Sequence, residues 1–340
     1  MKNKKYPVFV FILLTFVVIL LSFVFSLFDL QAEYSTVNAY NNTLQNNVVQ
    51  VENLLSLEGV KYLLSNTVYN FVNFAPLGNL IIILIGIGVI EKTGFARTFF
   101  TLITQSFRKN SITYVLILLS IISSLFGDIG FVFLLPIGAL LFKYGHRNPL
   151  GGIIASFAGI CFGYGINVFL TNLDSSLLSL TINSAKVIDK SYSIGIFFQL
   201  FIMLIALVIG SILLTRVTEK TIMPSLGKYE FDEVETLDNV SFTKRELRGL
   251  VISIGASILY IVLIVYMIIP GLPFSGGLLD SNGTYYIDKL FGANSLFNQG
   301  FVFILTFLFI IAGFSYASVA KTVKNDKDCL LYTSPSPRDR

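Results

Sequence analysis

Charge is what this chain has least of. Lysine, arginine, aspartate and glutamate together make up 13% of 340 residues, about half the share usual in soluble globular chains. Tryptophan is absent and His146 is the single histidine, which disfavours an enzyme built on a histidine pair or a clustered metal site. The two cysteines, Cys161 and Cys329, lie too far apart in sequence for a zinc spacing and make no disulfide framework. No GxxxxGK[ST] phosphate loop occurs, so ATP-driven transport by this chain is disfavoured. The net charge of +4 is modest and its cations sit in short clusters; without a continuous basic patch, nucleic-acid binding is not indicated.

What the chain has instead is apolar length. Hydrophobic residues reach 54%, and uncharged runs over 8–27, 71–90, 193–215, 249–269 and 300–320 each suffice to cross about 30 Å of hydrocarbon at 1.5 Å per residue. The fold class is therefore all-α, a polytopic set of transmembrane helices. The first run follows Lys2, Lys4 and Lys5, exceeds the usual length of a signal-peptide core and precedes no small-residue cleavage site; it reads as a retained span. Cations clustered at 2–5, 92–109, 143–147, 216–248 and 321–327 mark cytoplasmic stretches and put the N-terminus in the cytoplasm. Residues 53–65 place leucines on one side and Glu58 and Lys61 off it, the pattern of a short external helix lying at the interface. Residues 216–248 hold six cations and seven anions and form a cytoplasmic connector between a first membrane half, 1–215, and the start of a second, 249–328.

Two apolar regions are interrupted. Residues 111–142 begin and end beside cytoplasmic cations, and Gly127-Asp128 divides them into arms of 16 and 14 residues. Arms of about 21–24 Å fall short of a full crossing, so a re-entrant hairpin with Gly127-Asp128 at its tip fits better than two thin spans. Residues 149–181 must cross once, yet are too long for one straight span; an unwound centre over 163–174 absorbs the excess, giving a broken helix. Polar groups and unpaired backbone at bilayer depth are costly unless they line a cavity that binds something. That arrangement is the architecture of secondary transporters.

Several residues at these breaks are candidates for binding. Asp128, with Ser123 and Ser124, offers oxygen ligands beside a helix end; alternatively, Asp128 caps the second hairpin arm through that arm's first amides. Asn167 and Asn172 supply hydrogen-bonding groups suited to carboxylate or amide recognition, or satisfy freed backbone. Gly159-Ile-Cys-Phe-Gly163 permits close helix approach, although such strings are common in membrane chains. Gly86-x-Gly88 lacks the third glycine of a dinucleotide fingerprint and lies inside a span. Glu91 reads as a residue at the cytoplasmic edge.

The order of strings Asn53-Leu-Leu-Ser-Leu-Glu-Gly59, Asn73-Phe-Ala-Pro-Leu-Gly78, Gly86-Ile-Gly-Val-Ile-Glu-Lys-Thr-Gly94, Gly127-Asp-Ile-Gly130, Pro149-Leu-Gly-Gly-Ile-Ile-Ala-Ser-Phe-Ala-Gly159, Gly165-Ile-Asn167, Asn172-Leu-Asp174 and Lys321-Thr-Val-Lys-Asn-Asp-Lys-Asp328 resembles that of the AbgT family of p-aminobenzoyl-glutamate transporters. The resemblance implies an inverted-repeat carrier of the bacterial cytoplasmic membrane, a homodimer with two opposed hairpins. It would move p-aminobenzoyl-glutamate or export sulfonamide-type antimetabolites, with no cofactor but a coupling H+ or Na+ gradient. It also implies a transport role for Asp174; the competing reading is a carboxylate at the external end, meeting headgroup water. The family's second hairpin falls beyond Asp328, and residues 329–340 resemble a translated adapter. With the inverted partner absent, Asp128, Asn167 and Asp174 are expected to line an open groove. A related hairpin carrier for dicarboxylates or other organic anions is the main alternative; a membrane enzyme lacks a catalytic constellation, and a purely structural membrane protein has no need of polar breaks.

Overall fold

The computed structural model describes residues 7–37, 44–166, 172–227, 229, 242–281, 286–292 and 294–322. The suspected adapter segment, Cys329 within it, and most of the acidic connector lie outside the described residues.

Residues 1–77 form one compact unit and residues 78–340 a second. In the first, α1 (Pro7–Ser26) carries no charge in 20 residues, and nearly all its side chains are exposed on the isolated chain. A helix apolar all round has no face suited to water. Two strands follow, β1 (Gln31–Val37) and β2 (Leu44–Gln50), paired antiparallel with Gln31 opposite Gln50 and Val37 opposite Leu44. This ribbon is a small addition to a helical fold, placed where the sequence pattern gave no element. Next, α2 (Leu57–Val72) starts on Ser56, whose hydroxyl accepts the Gly59 amide. A Cβ on Gly59 would lie 2.3 Å from the Asn53 carbonyl oxygen, so the 53–59 string is a turn folded tightly onto the first turn of its own helix. The helix runs on to Val72, seven residues past the expected end at 65.

The second unit is helical: α3 (Ala75–Lys92), which begins at the unit boundary, α4 (Phe95–Ser106), α5 (Lys109–Ile122), α6 (Ile129–Tyr144), α7 (Pro149–Gly163), α8 (Asn172–Ala185), α9 (Ile196–Val217), a short α10 (Met223–Leu226), α11 (Lys244–Ile268), α12 (Tyr286–Phe291) and α13 (Leu296–Ala320). Among the described residues, five segments are long and apolar enough to cross a membrane: α1, α5 with the turn that extends it, α9 to α10, α11 and α13; the expected run at 71–90 is instead divided between the end of α2 and α3. Local chemistry sets several boundaries. α7 opens with Pro149 in its first turn behind Asn148, whose side chain accepts the Leu150 amide; proline there sacrifices no intrahelical bond. α11 opens with a reciprocal capping box between Thr243 and Glu246, which satisfies two otherwise orphaned amides.

The core of this unit has two seams. α11 packs on α13, where the Ser253 hydroxyl donates to the Ala312 carbonyl at 2.7 Å and the fully buried Tyr316 shares a 2.7 Å hydrogen bond with Thr98 of α4. Gly86 of α3 lets Thr306 of α13 approach its Cα, since an added Cβ would sit 3.1 Å from the Thr306 backbone. The second seam is the hairpin. Its first arm is α5 extended by a 3-10 turn, Ser123–Phe126, and its second is α6; the arms touch each other little, and α7 packs against both.

What lets α7 enter is the ridge Gly151, Gly152, Ala155, Ser156, Gly159 and Gly163, all buried. A Cβ on Gly152 would lie 2.0 Å from the Gly138 carbonyl oxygen of α6, and one on Gly163 would lie 2.4 Å from the Ile121 carbonyl oxygen of α5. The glycine pair 159 and 163 is therefore a real contact surface. Small residues of this kind let membrane helices gain dispersion energy where no hydrophobic force drives them together.

Candidate functional site

The foot of the hairpin is held by charge. Arg147, in the link between α6 and α7, donates to Glu219 at 2.6 Å and to the Thr113 hydroxyl at 2.9 Å. Thr113 donates in turn to the same Glu219 oxygen, and the guanidinium lies 4.1 Å from the centre of the Phe142 ring. Glu219 stands on a π-helical turn, Thr218–Ile222, that continues α9. Both ends of the hairpin are thus tied to one helix. Glu91 pairs with Lys143 at 3.5 Å, joining the end of α3 to the end of α6.

The tip is held differently. Gly127 adopts φ 58° and ψ −134°, a region open in practice to glycine alone. Ser123 and Ser124 are both buried. The Ser123 hydroxyl donates to the Ser120 carbonyl at 2.7 Å, whereas the buried Ser124 hydroxyl has no hydrogen-bond partner among the described residues. Phe126 stacks on Phe301 with ring centres 3.6 Å apart and meets Phe291 edge-on at 4.9 Å.

Asp128 stands at the N-cap position of α6 but makes no capping bond. The expected cap is overturned: its backbone is in the αR region, which differs from the extended conformation typical of capping side chains. Instead its carboxylate accepts the Tyr164 hydroxyl at 2.5 Å, joining the hairpin tip to the residue that ends α7.

Beyond Tyr164 the helix is interrupted, as the sequence requires, but the break is shorter than 163–174. Helix resumes at Asn172, so Asn172 and Asp174 belong to the first turn of α8. An aspartate there is favoured by the unpaired amides and positive end of the helix. Asn167 lies outside the described residues, and so does the side chain of Asn172. Asp174 is 7% exposed, which contradicts a carboxylate standing in headgroup water. Its Oδ1 accepts the Gln199 Nε2 amide of α9 at 3.0 Å.

Asp174 and Gln199 line a cavity of about 500 Å3 together with Tyr164, Thr181, Tyr192 and Phe198. Tyr192 reaches it from a loop whose turn is set by Asp189, which accepts both the amide and the hydroxyl of Ser191, at 2.9 and 2.6 Å. Those bonds, the hydroxyl's first, hold the Asp189 carboxyl below the usual carboxylate range. The expected open groove is half right. Asp128 is exposed, whereas Asp174 is enclosed by α8, α9 and the loop between them. Gln199 and Tyr164 were missed in the sequence because each looks like an ordinary residue at a helix end; only a partner 25 or 36 positions away gives it meaning. No group of three or more His, Cys, Asp or Glu side chains able to hold a metal ion occurs among the described residues.

The geometry can now be set beside known proteins. The sequence profile of the AbgT putative transporter family matches residues 3–336. The p-aminobenzoyl-glutamate transport protein of Escherichia coli K12 is 26% identical over 327 residues, covering 96% of this chain and 61% of the relative. The chain therefore spans about three-fifths of that relative's length. Among solved structures, the MtrF antimetabolite efflux pump of Neisseria gonorrhoeae is 26% identical with a TM-score of 0.53, matched over 98% of this chain and 65% of its own. The YdaH transporter of Alcanivorax borkumensis, at 20% identity and a TM-score of 0.50 over 97% of this chain and 65% of its own, shares the fold, whose topology is described as unusual.

Proposed function

We propose a transport function on one premise: this chain belongs to the AbgT family. The reading is a secondary active transporter of p-aminobenzoyl-glutamate or of sulfonamide-type antimetabolites, driven by a proton or sodium gradient. It would act as a homodimer in a bacterial cytoplasmic membrane, with the N-terminus inside and the hairpin re-entrant. The observation that carries it is the buried Asp174 carboxylate at the wall of a cavity rimmed by tyrosines. A neutral amide donates to that carboxylate, and no lysine or arginine lines the cavity among the described residues. Burying a carboxylate carries a desolvation cost, which a proton, a metal cation or an N–H donor of the substrate would lower on entering. Such relief couples occupancy to the energy of the site.

The cavity's aromatic walls suit the arylamine ring that p-aminobenzoyl-glutamate and sulfonamides share and that a simple dicarboxylate lacks, so the alternative of a dicarboxylate carrier gains nothing from them. The test uses the protein expressed from its full reading frame and reconstituted in proteoliposomes, with labelled p-aminobenzoyl-glutamate and sulfanilamide as probes. Asp174→Asn is expected to reach the membrane normally and to lose most gradient-driven flux. Unchanged flux at equal abundance would reduce Asp174 to a packing residue.

A further inference from the structure

The first arm of the hairpin and α7 stop side by side. A Cβ on Gly163, the last residue of α7, would lie 3.0 Å from the Ser124 Cβ in the 3-10 turn that closes the first arm. The last carbonyls of a helix lack intrahelical amides and carry its negative end, so two negative ends converge at this point. α6 brings its positive end to the same tip, but Asp128 stands at that N-cap position with the opposing charge. No lysine or arginine occurs in residues 110–142 or 148–185. Ser124 itself is 9% exposed, and its hydroxyl has no hydrogen-bond partner among the described residues. Its neighbours behave otherwise: Ser120 donates to the Leu116 carbonyl and Ser123 to the Ser120 carbonyl, each at 2.7 Å. A buried hydroxyl left unpaired beside them, where two helices present carbonyls, is a ligand position for something that the protein binds.

We infer that Ser124 is a ligand of a sodium ion held between the end of the first arm and the end of α7, with carbonyls of the two ends supplying further oxygens. Neutral hard oxygens at a point of negative potential suit a small monovalent cation. A divalent ion would call for carboxylates in the set, and hydroxyls and carbonyls are too weakly basic to hold a proton. The inference narrows the expectation from sequence, because Ser123 has spent its hydroxyl on Ser120 and Asp128 is exposed and bonded to Tyr164. Any part the ion plays in coupling rests on the transport reading above, which it deepens by choosing sodium over the proton.

The experiment is thermal unfolding of the full protein in detergent, in sodium chloride and in choline chloride at matched ionic strength. With sodium in roughly ten-fold excess over its dissociation constant, the parent protein should unfold about 2–4 °C higher than in choline. Ser124→Ala should lose that rise, yet be at least as stable as the parent in choline, because it removes a buried unpaired hydroxyl. Ser123→Ala, and Ser156→Ala at a second buried hydroxyl without a partner among the described residues, should keep the rise. Should Ser124→Ala not purify, Ser124→Cys decides instead, since it keeps the shape but replaces a hard oxygen by a soft sulfur. No sodium-dependent rise in the parent, or a full rise in the Ser124 variant, overturns the inference. Asp174→Asn separates the two readings. If it alone abolishes the rise, the cation lies at Asp174 and this inference fails while the transport reading stands. If it keeps both the rise and full flux in proteoliposomes, the role of Asp174 falls and the sodium site at Ser124 stands.

Discussion

Removing Glu219 should loosen the hairpin at its foot, and the cost can be worked from the contacts. The Glu219 and Arg147 side chains are 16% and 8% exposed, so the pair is screened little by water. Breaking a buried pair by deleting one partner typically costs about 3–5 kcal/mol, because the survivor stays buried and uncompensated. Here Arg147 would keep Thr113 and the face of Phe142, the latter contact worth about 0.5–2 kcal/mol. The low end, about 3 kcal/mol for Glu219→Leu, is therefore expected. The assay is denaturant or thermal unfolding of detergent-purified protein, run as a double-mutant cycle with Arg147→Met. The double variant should recover to within about 1 kcal/mol of the parent, since apolar replacements remove both charges. Two results would refute the reasoning: Glu219→Leu within about 0.5 kcal/mol of the parent, or a double variant whose loss equals the sum of the singles.

Two further expectations concern the middle and tip of the hairpin. Gly152→Val should prevent α7 from seating, because its Cβ would meet the Gly138 backbone at 2.0 Å and backbone cannot give way as a flexible side chain can; a loss of at least about 2 kcal/mol, read as aggregation in size-exclusion profiles, is expected. Tyr164→Phe should leave stability nearly unchanged, since the Tyr164–Asp128 bond is exposed, but free the tip. A cysteine placed at Ile129, with Cys161 and Cys329 replaced by serine, should then react faster with maleimide, and an unchanged rate would show that the bond restrains nothing.

How much of this was readable beforehand follows the range of each interaction. The spans were legible because length and apolarity are local: the run at 8–27 became α1 and that at 300–320 became the greater part of α13. The hairpin was legible from Gly127-Asp128, and the glycine that interrupts an apolar run does adopt a positive φ. The two arms differ from expectation because local helix extends past the charge boundary: α5 starts at Lys109 and its turn makes the first arm 18 residues, while α6 has 16. What could not be read was anything requiring a partner from elsewhere. Thr113, Arg147 and Glu219 are unremarkable in sequence, and their link spans 106 residues. The Gln199–Asp174 bond is of the same kind. Asp128 was read either as an oxygen ligand with Ser123 and Ser124 or as the cap of α6; the cap is not made, and the Tyr164 hydroxyl it accepts lies 36 positions away, beyond the reach of local pattern.

The ties along the hairpin are graded, and the gradient says which part can move. At the foot, a buried ion pair holds both ends to α9. Along the arms, α7 is wedged by carbonyl-to-glycine contacts that admit no added carbon. At the tip, among the described residues, an exposed hydroxyl-to-carboxylate bond and a set of aromatic contacts remain. Exposed polar contacts are worth at most about 1 kcal/mol and each aromatic pair about 0.5–1.5 kcal/mol, so each tie at the tip is individually weaker than the foot pair. Local motion takes the individually weakest contacts first. The hairpin should therefore pivot at its tip, between Tyr164 on one flank and Phe291 and Phe301 on the other, with its foot fixed. Because Tyr164 also lines the Asp174 cavity, a ligand that engages its hydroxyl competes directly with Asp128 for it. On the transport reading proposed above, a ligand in the cavity is then expected to weaken the Tyr164–Asp128 tie at the tip; an unchanged maleimide rate at position 129 with saturating ligand would refute this.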